Sequence, residues 1–294
     1  MWTPGDFEDY RERWPATPAF QRPDPAVTER FSALWTADEE TLDGRLSAAV
    51  GDVRVVFVRG FLGNLMPGNL VAPTRALTAL GISAGIAPTS TSATVETNVE
   101  TLARHVDGPE ALVLCGHSKG GLESLRLCDL HADVRDRVVG VVLSQTPRGP
   151  SAVLESLLDR AHEDSLSTRR WVEEWTQRLG IYAVGAHAGG GQLTSALAGL
   201  ISEIDGIERD YPVWQTASWS SQPTTWLDSF HERLGEIRPG CAHDGQFFLE
   251  DLVWPDLPHI LLPHIDHAQP AMGGFGFDHV RYWKVVLTLF CEAA

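Results

Sequence analysis

The sequence has little positive charge and lacks long apolar runs. Its 23 lysine and arginine residues stand against 39 aspartate and glutamate residues, which gives a formal net charge of -16. Such a charge repels phosphate backbones and anionic membrane surfaces, so nucleic acid is not an expected partner. No apolar stretch approaches the about 20 residues of a membrane span, and stable insertion into a membrane is not expected either.

Neither an export signal nor a cysteine motif is visible. The first residues, MWTPGDFED, have no basic start and no apolar segment of the kind found in signal peptides. The four cysteines (Cys115, Cys128, Cys241 and Cys291) show no C-x-x-C spacing. Cys115 and Cys128 fall in segments that we expect to be buried. Together these features predict reduced thiols in a cytoplasmic protein.

One stretch, residues 111–124 (ALVLCGHSKGGLES), has the character of a catalytic turn. An apolar strand pattern fills its first five residues, and a helical pattern follows Lys119. Ser118 lies in the break, flanked by Gly116 and Gly120. Glycine at both positions suits a sharp strand-to-helix turn, because a Cβ there would collide with the folded backbone. We predict that Ser118 is an activated nucleophile on an exposed turn; the alternative is a structural Gly-Ser turn.

Strand and helix patterns alternate along the rest of the chain. Strands are also predicted at 53–58, 82–86, 138–143, 213–218 and 259–262, and helices at 28–50 (one or two), 69–80, 94–106, 224–237 and 279–291. This alternation predicts an α/β fold with a mostly parallel sheet of about six strands and helices on both faces. Ligands bind such sheets at the carboxyl ends of the strands, where Ser118 and the glycine-rich turn after residue 58 both fall.

The chain divides into three parts on this interpretation. Residues 1–52 are an irregular, proline-rich arm followed by helices that pack on the core. Residues 53–149 and 211–294 form the core itself. Residues 150–210 interrupt the alternation of strands and helices, and they are interpreted as an inserted helical cap over the site.

The cap is predicted to contain helices at 152–160, 168–179 and 193–204. Flexible pieces join them, including the three glycines at 189–191. Trp171 and Trp175 lie four residues apart and therefore share one helix face. Packing between cap and core is the favoured role of these two tryptophans, and substrate contact is the alternative.

A serine hydroxyl needs a general base within hydrogen-bond reach, and that base needs an acid to fix its tautomer. Among eleven histidines, His267 is best placed, because it follows the last predicted strand at the same sheet edge as Ser118. His264 is the second candidate, but it lies closer to the strand end. His117 is too near the serine to turn its ring onto it, and is interpreted as a packing residue.

Asp244 is the predicted acid. It lies in a loop between two predicted strands, and the glycine that follows it lets the backbone turn the carboxylate inward. Asp228 falls within a predicted helix, and Asp251 beside Glu250 has the pattern of a solvated pair. Asp266 is adjacent to the histidine, but neighbouring side chains on an extended loop point apart.

The chain order Ser118, Asp244, His267 resembles that of the α/β-hydrolase superfamily, whose triad runs serine, acid, histidine. Within that superfamily, the GHSKGG turn, the Asp-Gly acid loop and the Asp-His-Ala histidine loop are similar to those of lipases and carboxylesterases. The resemblance covers about residues 53–294. It implies an α/β-hydrolase fold.

By position, the resemblance implies that Ser118 is the nucleophile, His267 the base and Asp244 the acid. The backbone N-H groups of Phe61 and Lys119 match the oxyanion donors. The implied function is a serine hydrolase that cleaves a small-molecule or lipid acyl ester through an acyl-enzyme, with no cofactor. The same residues would suit an acyltransferase, a thioesterase, an amidase or a catalytically weak ligand-binding module.

Two features depart from the family pattern. Arg59 stands where the oxyanion turn usually begins with histidine, which changes the charge beside the site. The two edge strands that often open the fold are not evident before residue 53, so a shorter sheet is expected. Lys119 is expected to act through its backbone, because its ammonium is poorly placed at a helix N-terminus, although Glu123 could pair with it. Lys119→Met is therefore expected to keep most activity on neutral esters.

A metal site is the weaker alternative near the end of the chain. His259, His264, Asp266 and His267 are close in sequence, but their spacing matches no standard zinc motif. One of the four already has a role in the proposed proton relay. No metal is therefore expected.

Overall fold

The computed structural model describes residues 2, 4–158, 180–205, 207–221 and 228–293. The strands are β1 (Arg54–Val58), β2 (Ala84–Ile86), β3 (Leu112–His117), β4 (Val138–Ser144), β5 (Val213–Trp219) and β6 (His259–Pro263). The helices are α1 (Asp9–Arg13), α2 (Pro25–Thr36), α3 (Glu39–Val50), α4 (Val71–Ala79), α5 (Val95–His105), α6 (Lys119–Leu130), α7 (Ala132–Arg135), α8 (Ala152–Leu158), α9 (His187–Gly191), α10 (Leu197–Asp205), α11 (Asp228–Ile237), α12 (Gln269–Met272) and α13 (His279–Cys291). None of the described helices is long and apolar enough to cross a membrane.

The six strands form one sheet in the order β2-β1-β3-β4-β5-β6, and every neighbouring pair is parallel. This confirms the predicted sheet of about six strands. The chain runs from β1 out to β2 and then crosses back past β1 to β3, so its direction of progress reverses between β1 and β3. Ligands bind open parallel sheets at this kind of switch point, beyond the carboxyl ends of the strands.

Alternate residues of each strand point to opposite faces of the sheet, and both faces are covered. Val56 and Leu114 join a core cluster with apolar residues of α5 and α6, including Leu122. Phe57 joins the opposite cluster with apolar residues of α2, α3 and α13, including Trp283. The near-continuous apolar strands of the sequence are explained by this burial on two sides. The helices of residues 25–50 therefore pack on one face of the sheet.

The predicted strands agree with the observed ones within two residues at each end, and α13 spans the predicted residues. The irregular arm predicted before residue 25 is wrong in part. A short 3-10 turn at Pro4–Phe7 and helix α1 lie in it. Buried Tyr10 anchors α1 against Trp219, with 6.3 Å between ring centroids. A tyrosine can bury its ring even where charged residues surround it in the sequence. The high proline content, on which the prediction of an irregular arm depended, does not reveal such a contact.

Within residues 150–210 the structure describes α8, α9 and α10. The glycines at 189–191, predicted as a flexible piece, instead lie in α9. Gly189 packs so closely on the loop before α5 that a Cβ there would lie 2.5 Å from the Ala93 carbonyl oxygen. Glycine here serves close helix-to-backbone packing. Trp171 and Trp175, with the helix predicted at 168–179, lie outside the described residues, and the division into core and cap stays a prediction.

Candidate active site

The turn between β3 and α6 places Ser118 in an unusual backbone conformation. Its φ is 54° and its ψ is -128°, a region that side-chain-bearing residues rarely adopt. Its N-H donates to the Ser144 carbonyl oxygen at 2.8 Å, which anchors the turn to the end of β4. Ser118 is 4% exposed, so the expectation of an exposed turn is wrong. Strained backbone that the surrounding structure holds in place is a feature of functional sites.

The two flanking glycines are required by this turn. A Cβ at Gly116 would overlap the backbone of Gly121, and a Cβ at Gly120 would overlap the Val58 carbonyl. Both clashes involve backbone atoms that cannot move aside. The sequence argument for a sharp elbow at residues 116–120 is therefore confirmed by the local packing.

The side chains of Ser118, His267 and Asp244 form one continuous chain of hydrogen bonds. His267 Nε2 lies 2.8 Å from Ser118 Oγ, and His267 Nδ1 lies 2.6 Å from Asp244 Oδ2. Asp244 is fully buried, and its Oδ1 accepts hydrogen bonds from the N-H groups of Gln246 and Phe247, each at 2.9 Å. The His267 N-H also donates to the Asp244 carbonyl oxygen at 2.8 Å. The three predicted residues are thus brought together.

The direction of the protons follows from these partners. A carboxylate only accepts hydrogen bonds, so the Asp244 contact places the ring proton of neutral His267 on Nδ1. Nε2 then carries a lone pair and accepts the hydroxyl proton of Ser118. This is the tautomer that a general base next to a serine must have.

Two other candidates from the sequence, His264 and Asp266, make contacts outside this hydrogen-bond chain. His264 Nδ1 lies 2.8 Å from Ser221 Oγ, and its ring stands edge-on to Trp219. Asp266 Oδ1 accepts the N-H groups of Ala268 at 2.9 Å and Gln269 at 2.7 Å. Asp266 thus shapes the loop that carries His267. This agrees with the sequence argument that its carboxylate points away from the adjacent imidazole.

The remaining acids considered in the sequence are Asp228 and Asp251. Asp228 is the first residue of α11. The solvated pair predicted for Glu250 and Asp251 is wrong, because their side chains are only 13% and 16% exposed and both contact Arg238. Burial raises the pKa of Asp251 to about 6. Both acids lie in a 3-10 turn, Leu249–Asp251, that packs on the loop after β4. The Asp251 carbonyl oxygen accepts the N-H of Gly149 in that loop at 2.9 Å. The number and order of charges in the sequence do not reveal this packing.

His117 and Gln145 form a buried clamp behind His267. His117 Nε2 lies 2.8 Å from the His267 carbonyl oxygen and 3.3 Å from Gln145 Oε1. Gln145 Nε2 donates to the Asp266 carbonyl oxygen at 3.1 Å and also to Ser218 Oγ. Burial, together with the nearby His267, lowers the pKa of His117 to about 4, so the ring is neutral and donates through Nε2. The packing role predicted for His117 agrees with this burial.

Gln145 was missed by sequence reasoning. It directly follows β4, so its position at the carboxyl edge of the sheet was the available signal. Its φ is 50°, a second strained backbone beside Ser118. A glutamine after a strand has no distinctive pattern, and only the fold shows that it links β5 to the loop of His267.

Gln145→Met is expected to lower the free energy of unfolding by about 1–3 kcal/mol, because buried acceptors lose their donor. It should also lower kcat by between about 10-fold and 100-fold, since His267 loses part of its support. Chemical denaturation and ester kinetics measure the two effects. Gln215→Met is the matched control: Gln215 is equally buried but bonds the Trp254 backbone, so stability should fall without the loss of kcat. Equal kcat in both variants would contradict the clamp.

The glycine-rich turn after β1 lies directly against Ser118. A Cβ at Gly60 would stand 2.8 Å from Ser118 Cβ, so the turn approaches as closely as a glycine permits. Phe61 follows Gly60 and lines a small cavity together with Ser118 and His267. The N-H of Lys119 is the first of α6, and the first N-H groups of a helix have no acceptor within it. Both predicted oxyanion donors therefore belong to backbone next to Ser118.

Two cationic side chains near the turn after β1, those of Arg59 and Lys119, have hydrogen-bond or ion-pair partners within the protein. Arg59 is half-buried, its Nε donates to the Asn69 carbonyl oxygen at 3.3 Å, and burial lowers its pKa. The Lys119 side chain is fully buried and pairs with Glu123, also fully buried. The pairing with Glu123 was anticipated from the sequence, whereas the burial of both side chains was not. Burial raises the pKa of the Glu123 carboxyl, while Lys119 opposes that change.

Ser118 and His267 open into a small cavity of about 90 Å³ with a mainly apolar lining. The apolar walls include Phe61, Met66, Leu193, Phe247 and Met272. Larger cavities of about 440 and 460 Å³ occur elsewhere, but no described histidine lines either of them. Of these three cavities, the small one is the one where a serine hydroxyl lies beside a histidine ring. Among the described residues, no group of three or more His, Cys, Asp or Glu residues could hold a metal ion.

Another buried histidine, His243, is expected to make the fold sensitive to acid. Its ring packs against His231 and Trp14, with 4.7 and 5.4 Å between centroids. Burial, and secondly His231, lowers its pKa from 6.5 to about 4. The native state therefore binds fewer protons than the unfolded state in this interval, and stability is lost as the pH falls from 6.5 through 4.

His243→Phe should flatten that loss by up to about 3 kcal/mol between pH 7 and pH 4, since one pKa unit corresponds to about 1.4 kcal/mol. Urea unfolding at a series of pH values measures it. His187→Phe, at an exposed histidine, is the control and should leave the slope as in the wild type. A wild-type slope in His243→Phe would contradict the assignment.

Comparison with known proteins shows the fold class. No protein-family model matches the chain, and no curated protein matches its sequence. Solved structures do match. A metagenomic carboxyl esterase has a TM-score of 0.62 at 15% identity, over 82% of this chain and 76% of that one. The lipase BlEst2 of Bacillus licheniformis, in mature form, has a TM-score of 0.54 at 14% identity, over 88% of this chain and 92% of that one.

Phospholipase PlaB from Legionella pneumophila is similar over 82% of this chain and 60% of its own length, with a TM-score of 0.56 at 13% identity. Sequence identities this low show the fold alone. The chain has the α/β-hydrolase fold of the kind found in lipases and esterases, which confirms the resemblance noted in the sequence.

Proposed function

We propose that this chain is a serine hydrolase that cleaves carboxylic esters through an acyl-enzyme. The observation that carries the proposal is the continuous hydrogen-bond chain from Asp244 through His267 to Ser118. It ends in a mainly apolar cavity next to a strained turn. A buried carboxylate, an oriented imidazole and a serine in this order are the parts that nucleophilic catalysis requires.

In the proposed mechanism, Ser118 Oγ attacks the acyl carbonyl carbon while His267 Nε2 takes the hydroxyl proton. Asp244 stabilises the imidazolium that forms. The N-H groups of Phe61 and Lys119 stabilise the oxyanion, and such donors contribute about 3 kcal/mol each to lowering the barrier. His267 then protonates the leaving alkoxide, the C-O bond breaks, and an alcohol departs. Water, deprotonated by His267, releases the carboxylic acid in a second tetrahedral step.

The substrate class is a small-molecule or lipid acyl ester. The apolar walls of the cavity suit an acyl chain, since burial of apolar surface is favourable by about 25 cal/mol per Å². The similar solved structures are a carboxyl esterase, a lipase and a phospholipase, which supports an ester as substrate. The net charge of -16 favours neutral over anionic substrates.

Residues 150–210 are proposed to act as a cap over this cavity. Two contacts support that role. Leu193 lines the cavity beside Ser118. Gly190 of α9 lies against Phe61, close enough that a Cβ there would stand 3.0 Å from the ring. The cap would exclude water from the acyl group during the reaction.

A fluorophosphonate probe tests the proposed nucleophile. The folded wild-type protein should be labelled at Ser118, while heat-denatured protein should not. Ser221→Ala is the matched control, because Ser221 also lies 2.8 Å from a histidine, His264, and its loss should leave labelling intact. Absence of labelling in the folded wild type would reject the proposal.

A panel of p-nitrophenyl esters, thioesters and amides with acyl chains of graded length then defines the bond that is cleaved. Esters are expected to react with the highest kcat/KM. A clear preference for thioesters or amides would keep Ser118 as nucleophile and replace the ester assignment.

A further inference from the structure

The proposed acyl transfer leaves the ion pair of Lys119 and Glu123 without a role. The two side chains lie one turn apart on α6, at the helix end that carries Ser118, and both are fully buried. Taking two charges out of water is costly, and a buried pair is often no more stable than apolar residues of the same volume. Stability alone therefore does not explain why this pair lies beside the nucleophile.

The pair is joined to the loop between β2 and α5. Lys119 Nζ donates to the Ala93 carbonyl oxygen at 3.0 Å. Glu123 Oε1 accepts from Asn98 Nδ2 at 2.6 Å, and the same Nδ2 donates to the Ser90 carbonyl oxygen at 2.8 Å. The Ser90 N-H returns a hydrogen bond to Asn98 Oδ1 at 3.0 Å. The two charges thus hold both ends of residues 90–93.

The same short segment supports the turn that follows β1. The Leu62 N-H donates to the Thr91 carbonyl oxygen at 3.4 Å, and the Asn64 N-H donates to Thr91 Oγ1 at 3.2 Å. The Thr91 hydroxyl donates to the Asn64 side-chain oxygen. Thr91 is fully buried between the two. Leu62 has a φ of 57°, a conformation that persists only where neighbouring structure imposes it.

We propose that Lys119 and Glu123 are positioning residues: through residues 90–93 they fix the turn after β1, and so set the distance between the Phe61 N-H and Ser118. The inference rests on the proposed function, because Phe61 acts there as an oxyanion donor. The path runs from α6 to Ala93, along the loop to Thr91, and across to Leu62 and Asn64. Thr91 and Asn98 in this path are buried, like the two charges, while Ser90 and Asn64 are exposed. The elbow and the oxyanion turn, which are far apart in sequence, are thereby held as one unit.

The size of the expected effect follows from the chemistry. An oxyanion donor acts only where the charge develops, and losing one donor lowers kcat by about 10²–10³-fold. A displacement of about 1 Å can lower the rate by about 10²-fold. Loosening the turn, with the Phe61 N-H still present, should therefore lower kcat by between about 10-fold and 100-fold. KM should change little, because the acyl chain contacts side chains of the cavity walls.

The decisive variant is the double replacement Lys119→Met with Glu123→Leu. It removes both charges together, so no uncompensated charge is left in the core and the fold should be retained. The expected result is a Tm close to that of the wild type, a kcat lowered by about 10-fold to 100-fold on p-nitrophenyl butyrate, and an unchanged KM. Binding of an alkyl boronic acid, which forms a tetrahedral adduct with the serine, should weaken by the same factor as kcat/KM.

Thr91→Val tests the other end of the path while both charges stay in place. Valine has the shape of threonine without the hydroxyl, so the Asn64 contacts are lost and the packing is kept. It should lower kcat to a similar extent, and adding it to the double variant should cause little further loss, because both changes act on one link. If the double variant does not fold, the kcat of Thr91→Val still tests whether residues 90–93 position the turn after β1.

The matched control is a second ion pair of the same helix. Arg126 on α6 contacts Glu203 of α10 at 2.5 Å, and Glu203 is 60% exposed. Arg126→Met with Glu203→Leu should leave kcat and boronic acid binding as in the wild type. A similar loss in this control would show that any charge removal on α6 disturbs the site, and it would overturn the inference.

Fluorophosphonate labelling of the wild type separates failure of the inference from failure of the function. If the wild type is labelled at Ser118 and hydrolyses esters, but the double variant and Thr91→Val keep its kcat, only the inference is overturned. A fall in Tm with unchanged kcat has the same meaning. If the wild type is neither labelled nor active, the proposed function is overturned, and the inference that rests on it falls as well.

Discussion

Replacement of Ser118 with alanine is expected to lower kcat on p-nitrophenyl esters on the order of 10⁶-fold, as the loss of a serine nucleophile does when base and acid remain. In the proposed mechanism the hydroxyl oxygen forms the acyl-enzyme, and His267 cannot replace it. Stability should change by about 1 kcal/mol or less, since one hydrogen bond to His267 is lost and no cavity of note forms. Steady-state kinetics and thermal unfolding measure the two effects.

Ser118→Gly is the matched variant, because it removes the same hydroxyl and also the Cβ. Since the backbone at position 118 has a φ of 54°, glycine should relieve strain and raise the free energy of unfolding by about 1–2 kcal/mol over alanine. Both variants should be equally inactive. Substantial residual turnover in either variant would reject Ser118 as the nucleophile, and equal stability would show that the elbow is not strained.

The fold could be predicted from the sequence where one physical signal dominates. Each strand is buried on both faces, so it shows as a short apolar run bounded by turn residues. Helix α13 repeats apolar residues at helical spacing and begins at the N-cap Asp278, whose side chain accepts the Arg281 N-H at 2.9 Å. Such local patterns do not depend on the rest of the chain.

The three side chains of the site could be predicted because parallel strands bring their carboxyl ends to one edge. Ser118 follows β3, and the loop carrying His267 follows β6. Asp244 lies in the loop after α11, which returns to this edge: the His243 carbonyl oxygen accepts the N-H of Ser220, just beyond β5, at 2.9 Å. Chain order and sheet edge are both readable once the strands are placed. The distances of 2.6 and 2.8 Å between them are set by loop geometry, which the sequence does not encode locally.

Burial of charge is the property that these sequence patterns do not show. Lys119 and Glu123 lie four residues apart on a helix, which is the usual pattern of a solvated pair, yet both are fully buried. Glu250 and Asp251 are adjacent acids that pack around Arg238. In each case a loop distant in sequence covers the charges. The pattern of a helix shows which residues share a face, and only the tertiary fold shows what lies on it.

The hydrogen-bond partners of Gln145 and Thr91 were also beyond reach of the sequence. Gln145 connects β4, β5 and the loop of His267, and Thr91 connects two loops. Polar residues in loops are common, so their type alone gives no signal. Their significance comes from full burial, because a buried polar group must find partners and therefore ties together the elements that supply them.

The second large effect is expected for Asp244→Asn. Asp244 Oδ1 accepts two backbone N-H groups, those of Gln246 and Phe247. In the asparagine variant these donors require the amide oxygen at that position, so the NH₂ group faces His267 Nδ1. An NH₂ group donates, which moves the imidazole proton from Nδ1 to Nε2. His267 Nε2 could then no longer accept the Ser118 proton.

Selection of this wrong tautomer is expected to lower kcat by about 10⁴-fold while the fold is retained, as in the serine-protease case. Rescue by a neighbouring carboxylate is not expected, because Asp266 Oδ1 already accepts two backbone N-H groups of its own loop. Asp251→Asn is the control: Asp251 lies beside Arg238, away from His267, and its loss should leave kcat near the wild-type value. Steady-state kinetics measure kcat, and thermal unfolding checks that the fold is retained. Proton NMR reports the tautomer: the signal of the His267 Nδ1-H should be present in the wild type and in Asp251→Asn, and absent in Asp244→Asn. If Asp244→Asn kept most of its activity while Asp251→Asn lost it, the acid would be Asp251, although the pairing of Ser118 with His267 would still provide nucleophile and base.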